Sequence, residues 1–93
     1  MYTLSKLLPP EEKFGLASQM RRAAVSIPSN IAEGKERRGN NEFRHFLSIA
    51  RGSASELETQ LMLCEKIYGV DIREIEEIIR EVQAMMMSII KKL

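Results

Sequence analysis

"FRHFLSIARGSASELETQLMLCEKIY", residues 43–68, decides the fold of this 93-residue chain. Apolar residues recur there at steps of three and four for about seven turns, which places them on one face of an α-helix. The members of this apolar face are Phe43, Phe46, Leu47, Ala50, Ala54, Leu57, Leu61, Cys64 and Tyr68. No stretch of the chain alternates apolar and polar residues as a half-buried strand would. We therefore predict an all-α protein whose longest helix covers residues 41–68.

Two more helices flank the central one. The first covers about residues 11–33 and the last about residues 71–92, each with an apolar face of its own. Because the connecting loops are short, these helices predict an antiparallel up-down bundle in a single domain over residues 1–93. The apolar faces consist of Leu16, Met20, Ala24, Ile27 and Ile31 in the first helix, and of Ile75, Ile78, Ile79, Val82, Met85, Met86, Ile89 and Leu93 in the last.

Several residues are placed to begin or end these helices. We predict that Gly34 ends the first helix and that Gly69 ends the central one, as glycine does just beyond a helix C-terminus. Asn40 or Asn41 is available to cap the start of the central helix. Asp71 followed by Glu74 resembles a capping box at the start of the last helix.

Pro28 lies inside the first predicted helix, where it lacks an N–H group and costs an isolated helix roughly 3 kcal/mol. Polar residues beside it form a second stripe within about 40° of one line, and an antiparallel hairpin brings this stripe near similar residues of the central helix. This polar seam consists of Gln19, Arg22, Ser26, Asn30, Glu33, Ser53 and Glu56. Two interpretations remain open. The seam is either a solvated surface or a half-buried surface that packs against a further helix or subunit and compensates for Pro28.

The charge of the chain is unevenly distributed, although the total is only +1. Residues 13–51 carry a net charge of +5, and residues 52–93 carry a net charge of −3. The candidate nucleic-acid-binding residues are Arg21, Lys35, Arg37, Arg38, Arg44 and Arg51. They indicate either a patch that follows phosphate groups or the ordinary surface charge of a soluble protein.

The residues that would carry catalysis or bind a metal are scarce. His45 is the only histidine and Cys64 the only cysteine, too few for a zinc site of three or four ligands. Glycine-rich phosphate loops and nucleophile motifs are absent from the sequence, so we predict no enzyme activity, no metal and no cofactor. The single cysteine and the lack of a signal peptide or long apolar segment favour a cytoplasmic protein without a membrane partner. The Met-rich "MMMSII" either fills the core or forms an adaptable contact surface.

Two stretches, "LPPEEKFGLASQMRRAAVSIPSNIAEG" (residues 8–34) and "FRHFLSIARGSASELETQL" (residues 43–61), carry a family resemblance. They resemble the four-helix-bundle proteins of 23S rRNA intervening sequences, a family that includes the accessory variability determinant of diversity-generating retroelements. The matching residues are Pro9, Glu12, Phe14, Gly15, Leu16, Gln19, Arg22, Ala23, Ser26, Ile27, residues 30–34, Phe46, Leu47, Ile49, Ala50, Gly52, Ser53 and Glu56.

The resemblance implies an up-down four-helix bundle that assembles into a ring, known as a pentamer in related members. Some members bind nucleic acid through basic outer surfaces and act as partners of a reverse transcriptase. One departure is that only residues 1–8 precede the motif, where members usually have a complete helix. Either the first helix is truncated, or this chain uses three long helices and leaves a groove that a second copy or a partner fills.

Two functions are therefore expected. The first is a non-catalytic homo-oligomeric helical bundle that binds RNA or an RNA–DNA hybrid through a basic surface, with an adaptor role for a reverse transcriptase. The alternative is a protein-interaction scaffold with no nucleic-acid role.

Overall fold

Three α-helices form the protein in a computed structural model that describes residues 8–12 and 15–93. They are α1 (Leu16–Glu36), α2 (Asn40–Tyr68) and α3 (Arg73–Lys92), and a short 3-10 helix at Pro10–Glu12 precedes them. Strands do not occur in these described ranges, so the all-helical prediction is confirmed. The predicted N-terminal segment lies outside the described residues except for Leu8, as do residues 13 and 14 of the first predicted helix.

Helices α1 and α2 run antiparallel as a hairpin. Met20 near the start of α1 meets Cys64 near the end of α2, with 3.3 Å between their sulfur atoms. At the other end of the hairpin, Gly34 of α1 packs against Phe43 and Phe46 of α2. These contacts follow from the two apolar faces, because a helix buries its apolar face by packing it against another helix.

Helix α2 lies between α1 and α3. The Cα atoms of α1 and α3 do not come within 8 Å of each other, whereas both helices contact α2. The described molecule is elongated and measures 44 × 23 × 16 Å. Within the described residues α1 and α3 are therefore joined only through α2, and a closed four-helix arrangement is not present.

The core follows the apolar faces that the sequence predicts, with one exception. Its largest fully buried side chains are Met20, Leu47, Leu61, Ile72, Met86 and Cys64. Ile78 and Met85 belong to the predicted face of the last helix, but they are 53% and 63% exposed. They therefore share the apolar face of the helix without belonging to the core, and of the two interpretations of the Met-rich stretch, Met86 fits core filling and Met85 fits a contact surface.

The prediction that Gly34 ends the first helix is wrong. Gly34 is buried inside the last turns of α1, which continues to Glu36. A Cβ atom at this position would lie 2.9 Å from Cδ1 of Phe43 and 2.9 Å from Cβ of Phe46. Glycine is therefore required for the close approach of the two helices and not for a left-handed conformation. The backbone N–H of Arg37 donates to the Gly34 carbonyl and ends the helix.

Of the predictions for the two ends of α2, one is wrong and one is confirmed. Gly39 occupies the N-cap position and provides no side-chain cap, while Asn40 and Asn41 already belong to the helix. The predicted asparagine cap is therefore wrong, since the Asn41 side chain accepts a hydrogen bond from Arg44 instead, at 3.2 Å. Gly69 ends α2 in the left-handed conformation, with φ of 67°, as predicted.

Asp71 organises the start of α3 through Arg73. Its Oδ1 atom accepts from the Arg73 backbone N–H at 3.1 Å, and its Oδ2 atom accepts from Nη2 of Arg73 at 3.0 Å. Ile72, and not Asp71, occupies the N-cap position. The predicted capping box is therefore wrong, because Asp71 accepts from Arg73 and not from Glu74.

We expect the carboxyl group of Asp71 to titrate with a pKa of about 2, below its ordinary 3.8, because the Arg73 side chain and backbone both donate to the charged form. The pair therefore stabilises the fold above pH 3.8, and this contribution is lost as the pH falls toward 2. Replacing Arg73 with alanine should raise the midpoint in a carboxyl NMR titration. Arg80 pairs with Glu76, so replacing Arg80 with alanine should leave the midpoint of Asp71 unchanged. A midpoint that does not move in Arg73→Ala would contradict this assignment.

Candidate nucleic-acid interface

The connection between α1 and α2 forms a concave, basic surface at one end of the hairpin. Residues 35–41, here called the basic turn, include the last turn of α1, the connecting residues 37–39 and the start of α2. The hollow has a volume of about 880 Å³. It is lined by Gly34, Lys35, Arg37, Arg38, Gly39, Asn40, Asn41, Glu42 and Phe43. A hollow lined by cations and amide side chains suits an anionic ligand.

The three basic side chains of the turn are not equivalent. Arg37 is held in place, because its Nη2 atom lies 2.6 Å from Oε1 of Glu33 and its guanidinium lies 5.1 Å from the centre of the Phe46 ring. Lys35 and Arg38 are exposed and have no ion pair within the described part of the chain. These two cations are therefore the ones available to an incoming phosphate group.

The start of α2 adds backbone donors to the same hollow. The first N–H groups of any α-helix lack partners within the helix, and the N-terminus carries a partial positive charge. Gly39 leaves them without a side-chain cap, because glycine has no side chain to accept their hydrogen bonds. Glu42 in the first turn offsets part of this positive charge. The arrangement joins an uncapped helix start to cationic side chains, as many phosphate-binding sites do.

The other predicted basic residues lie at increasing distances from the turn. Arg44 is half-buried and bonded to Asn41, so it borders the hollow. Arg51 is exposed on the same side of α2, about 10 Å further along the axis. Arg21 lies about 20 Å from Lys35 along α1, is half-buried, and already interacts with other residues. The structure thus groups Lys35, Arg37 and Arg38 with Arg44, while Arg21 lies away from them.

The polar seam crosses the interface between α1 and α2 away from the turn. The Oγ atom of Ser26 accepts hydrogen bonds from Oγ of Ser53 at 2.8 Å and from Nδ2 of Asn30 at 2.9 Å. Asn30 also donates to the Ser26 carbonyl at 2.8 Å. Ser26, Asn30 and Ser53 are half-buried, so this network joins the two helices in partial shelter from water. The carbonyl that it reaches is not the one freed by Pro28, which belongs to Ala24.

A second hollow of about 420 Å³ lies over the seam and is lined by Gln19, Arg22, Ala23, Ser26, Ser53 and Glu56. The hairpin therefore places Gln19 and Arg22 on the same surface as Glu56, as the predicted polar seam requires. The donor to Glu56 is Nε2 of Gln60, at 3.2 Å, and not Gln19 or Arg22. Gln19, Arg22 and Glu56 are exposed in the isolated chain, and Glu33 pairs with Arg37 instead of joining the seam network.

Three residues have positions in the structure that their sequence pattern does not predict. Phe46 supports the Arg37 guanidinium, and Gly39 leaves the start of α2 open. Gln60 is only 5% exposed, and its Oε1 atom has no hydrogen-bond partner in the described structure. The burial of Gln60 follows only from how deeply its face of α2 is packed in the fold. The sequence suggests a solvated residue equally well, because Gln60 lies one helical turn from Glu56.

Neither His45 nor Cys64 belongs to the basic turn or to the polar seam. His45 is exposed, with its ring edge-on to Phe46 at 5.5 Å between centroids. Cys64 is buried against Met20. Within residues 8–12 and 15–93, no three His, Cys, Asp or Glu side chains come together as metal ligands would. In the same residues, the helices are too short or too polar to cross a membrane.

The chain is thus an all-helical protein built on an antiparallel hairpin with a basic turn. The model of the family described as "23S rRNA-intervening sequence protein" matches residues 1–91. The chain belongs to this family, as its sequence motifs indicate. None of the curated proteins matches the chain.

Proposed function

We propose that this chain is a non-catalytic, homo-oligomeric helical protein that binds nucleic acid through the basic turn. The observation that carries this proposal is the uncapped start of α2 beside Lys35 and Arg38 in one hollow. Phosphate oxygens accept hydrogen bonds from both kinds of donor, so the backbone of RNA or of an RNA–DNA hybrid is the ligand that the surface fits best. The family's description, which refers to 23S rRNA, supports RNA as the nucleic acid.

The binding mode follows from the available donors. Lysine and arginine side chains and backbone N–H groups contact phosphates irrespective of base sequence, and they displace condensed counterions. Arg37 contributes mainly to positioning, because Glu33 neutralises it and Phe46 fixes its direction. Binding should therefore be strongly salt-dependent and weakly sequence-specific.

Assembly would strengthen this binding. We propose that the polar seam packs against another copy, because Arg22 and Glu56 are exposed there without a mutual ion pair. The half-buried Ser26 network continues this surface toward the turn. A ring, such as the pentamer that the family resemblance implies, would present several basic turns to one polyanion and raise the apparent affinity. Such a ring could also carry a bound RNA to a reverse transcriptase as an adaptor.

Replacing Lys35 and Arg38 with alanine should lower the affinity for a short RNA about fivefold and reduce the slope of log affinity against log salt by about two. Fluorescence anisotropy at several salt concentrations measures both quantities. The matched control replaces Lys66 and Arg80, which removes the same charge from elsewhere on the surface and should change binding little. Wild-type protein that fails to bind RNA at about 50 mM salt would refute the function, because electrostatic contacts are strongest at low ionic strength.

Replacing Glu56 with alanine should weaken self-association through the seam. The side chain is exposed in the isolated chain, so its loss should leave the helical fold intact. Sedimentation velocity over a range of concentrations would show dissociation at a higher protein concentration than for the wild type. Glu65→Ala, an exposed glutamate on the same helix, is the control. An unchanged mass in Glu56→Ala and in Asn30→Ala would count against assembly through the seam.

The alternative function is a protein-interaction scaffold without a nucleic-acid role. Exposed apolar side chains on α2 favour it, namely Ile49, Met62, Leu63 and Ile67. Leu63 and Ile67 are four residues apart and therefore adjacent on the helix surface, and contiguous exposed apolar side chains are typical of a surface that binds protein. The RNA titration separates the two functions, since a scaffold would show no salt-dependent binding.

A further inference from the structure

Helix α3 presents an apolar surface that the described chain does not cover. Ile78 and Met85 are seven residues apart, so they lie within about 20° of one line along the helix. Both are more than half exposed, and their neighbours Val82 and Ile89 are only half-buried. No Cα atom of α1 lies within 8 Å of a Cα atom of α3, and the hairpin leaves the side chains of this line exposed.

Charge is distributed along α3 with opposite signs at its two ends. Residues 71–81 carry five acidic and two basic side chains, whereas residues 82–93 carry only Lys91 and Lys92. The two basic side chains of the first half are already paired, Arg73 with Asp71 and Arg80 with Glu76. The first half of α3 is therefore acidic and its last turn is basic.

The unpaired charges border the exposed apolar line. Glu74, Glu81 and Lys92 lie within about 20° of one another around the helix, next to the line of Ile78 and Met85. All three are exposed and have no ion pair within the described residues. An apolar strip with an acidic and a basic end on the same edge is complementary to a reversed copy of itself.

We propose that a second copy of this chain docks on this surface, with its α3 antiparallel to the first α3 across a two-fold axis near Val82. Antiparallel pairing places Glu74 of one copy within one helical turn of Lys92 of the other, and each contact occurs twice. Parallel pairing would instead oppose like charges at both ends. The two apolar strips bury each other, with Ile78 near Met85 of the second copy.

This interface is separate from the basic turn and from the polar seam. It does not require nucleic-acid binding, and neither Lys35 nor Glu56 takes part in it. If copies also associate through the polar seam, disrupting the α3 contact halves the number of copies in the assembly. Disrupting the seam instead leaves pairs of copies joined through α3. The failure of one assembly is thus distinguishable from the failure of the other.

The substitution Met85→Glu places a carboxylate from each copy in the apolar contact and should raise the dissociation constant of the pair at least about a hundredfold. Light scattering coupled to size-exclusion chromatography measures the mass, and circular dichroism checks that the helices persist. Met62→Glu, at an exposed apolar residue of α2 that faces away from the polar seam, is the control and should keep the wild-type mass. A wild-type chain that remains at 10.6 kDa, or a Met85→Glu variant of unchanged mass, would overturn the proposal.

A charge exchange tests the antiparallel orientation without altering the apolar strip. Glu74→Lys and Lys92→Glu should each weaken self-association about tenfold, because each opposes like charges twice. A mixture of the two variants should regain wild-type affinity as a heterodimer. Undiminished self-association of Glu74→Lys would exclude antiparallel pairing, since parallel helices oppose like charges there before and after the change.

Discussion

Leu61→Ala is expected to lower the free energy of unfolding by about 2–5 kcal/mol, the range for truncating a fully buried leucine. Leu61 has no exposed surface and belongs to the apolar face of α2, the helix that both α1 and α3 contact. The loss combines the transfer of methyl groups with the cavity that they leave. For a domain with a total stability of roughly 5–15 kcal/mol, this is a large fraction.

Leu63→Ala, two residues away on the same helix, provides the comparison for Leu61→Ala. Leu63 is 43% exposed, so its truncation should cost less than about 1 kcal/mol. Urea denaturation followed by circular dichroism at one protein concentration gives both values. Equal losses in the two variants would contradict the assignment of the core face.

Gly34→Ala is expected to destabilise the hairpin by about 1–2 kcal/mol, although alanine is the better helix former by about 1 kcal/mol. The new methyl group would lie 2.9 Å from Cβ of Phe46, an atom that cannot move away without its backbone. The helices would separate at the end that carries the basic turn. The same variant should therefore also weaken RNA binding.

Gly52→Ala is the matched control for Gly34→Ala. Gly52 lies within α2, and a Cβ there would meet nothing within 4 Å. This substitution should raise stability by about 0.5–1 kcal/mol, because only the helix propensity changes. Thermal denaturation of both variants would refute the close-contact explanation if the two melting temperatures shift in the same direction.

The sequence predicts the helices well because their signal is periodic and repeated. The face of α2 is spread over seven turns, so no single exception obscures it. The prediction for Gly34 is wrong because two different structural requirements place glycine near a helix end. One is a left-handed backbone conformation, and the other is the close approach of two helices. Only the packing of Phe43 and Phe46 distinguishes them, and that packing depends on tertiary structure.

The candidate site was predictable in composition but not in arrangement. The sequence identifies Lys35, Arg37 and Arg38 as a basic cluster, yet it does not reveal that Glu33 and Phe46 engage Arg37. The exposure of Ile78 and Met85 was also not predictable, because helical periodicity shows which residues share a face but not whether a neighbour covers it.

The most direct test of the central claim is to map RNA binding onto the backbone by NMR. A short RNA titrated into ¹⁵N-labelled protein at low salt should shift the amide signals of residues 35–44, and the shifts should disappear as salt is added. The amides of α3 should remain unchanged. Shifts concentrated in α3 or on the outer face of α2, or no shifts at all, would contradict the assignment of the basic turn as the nucleic-acid interface.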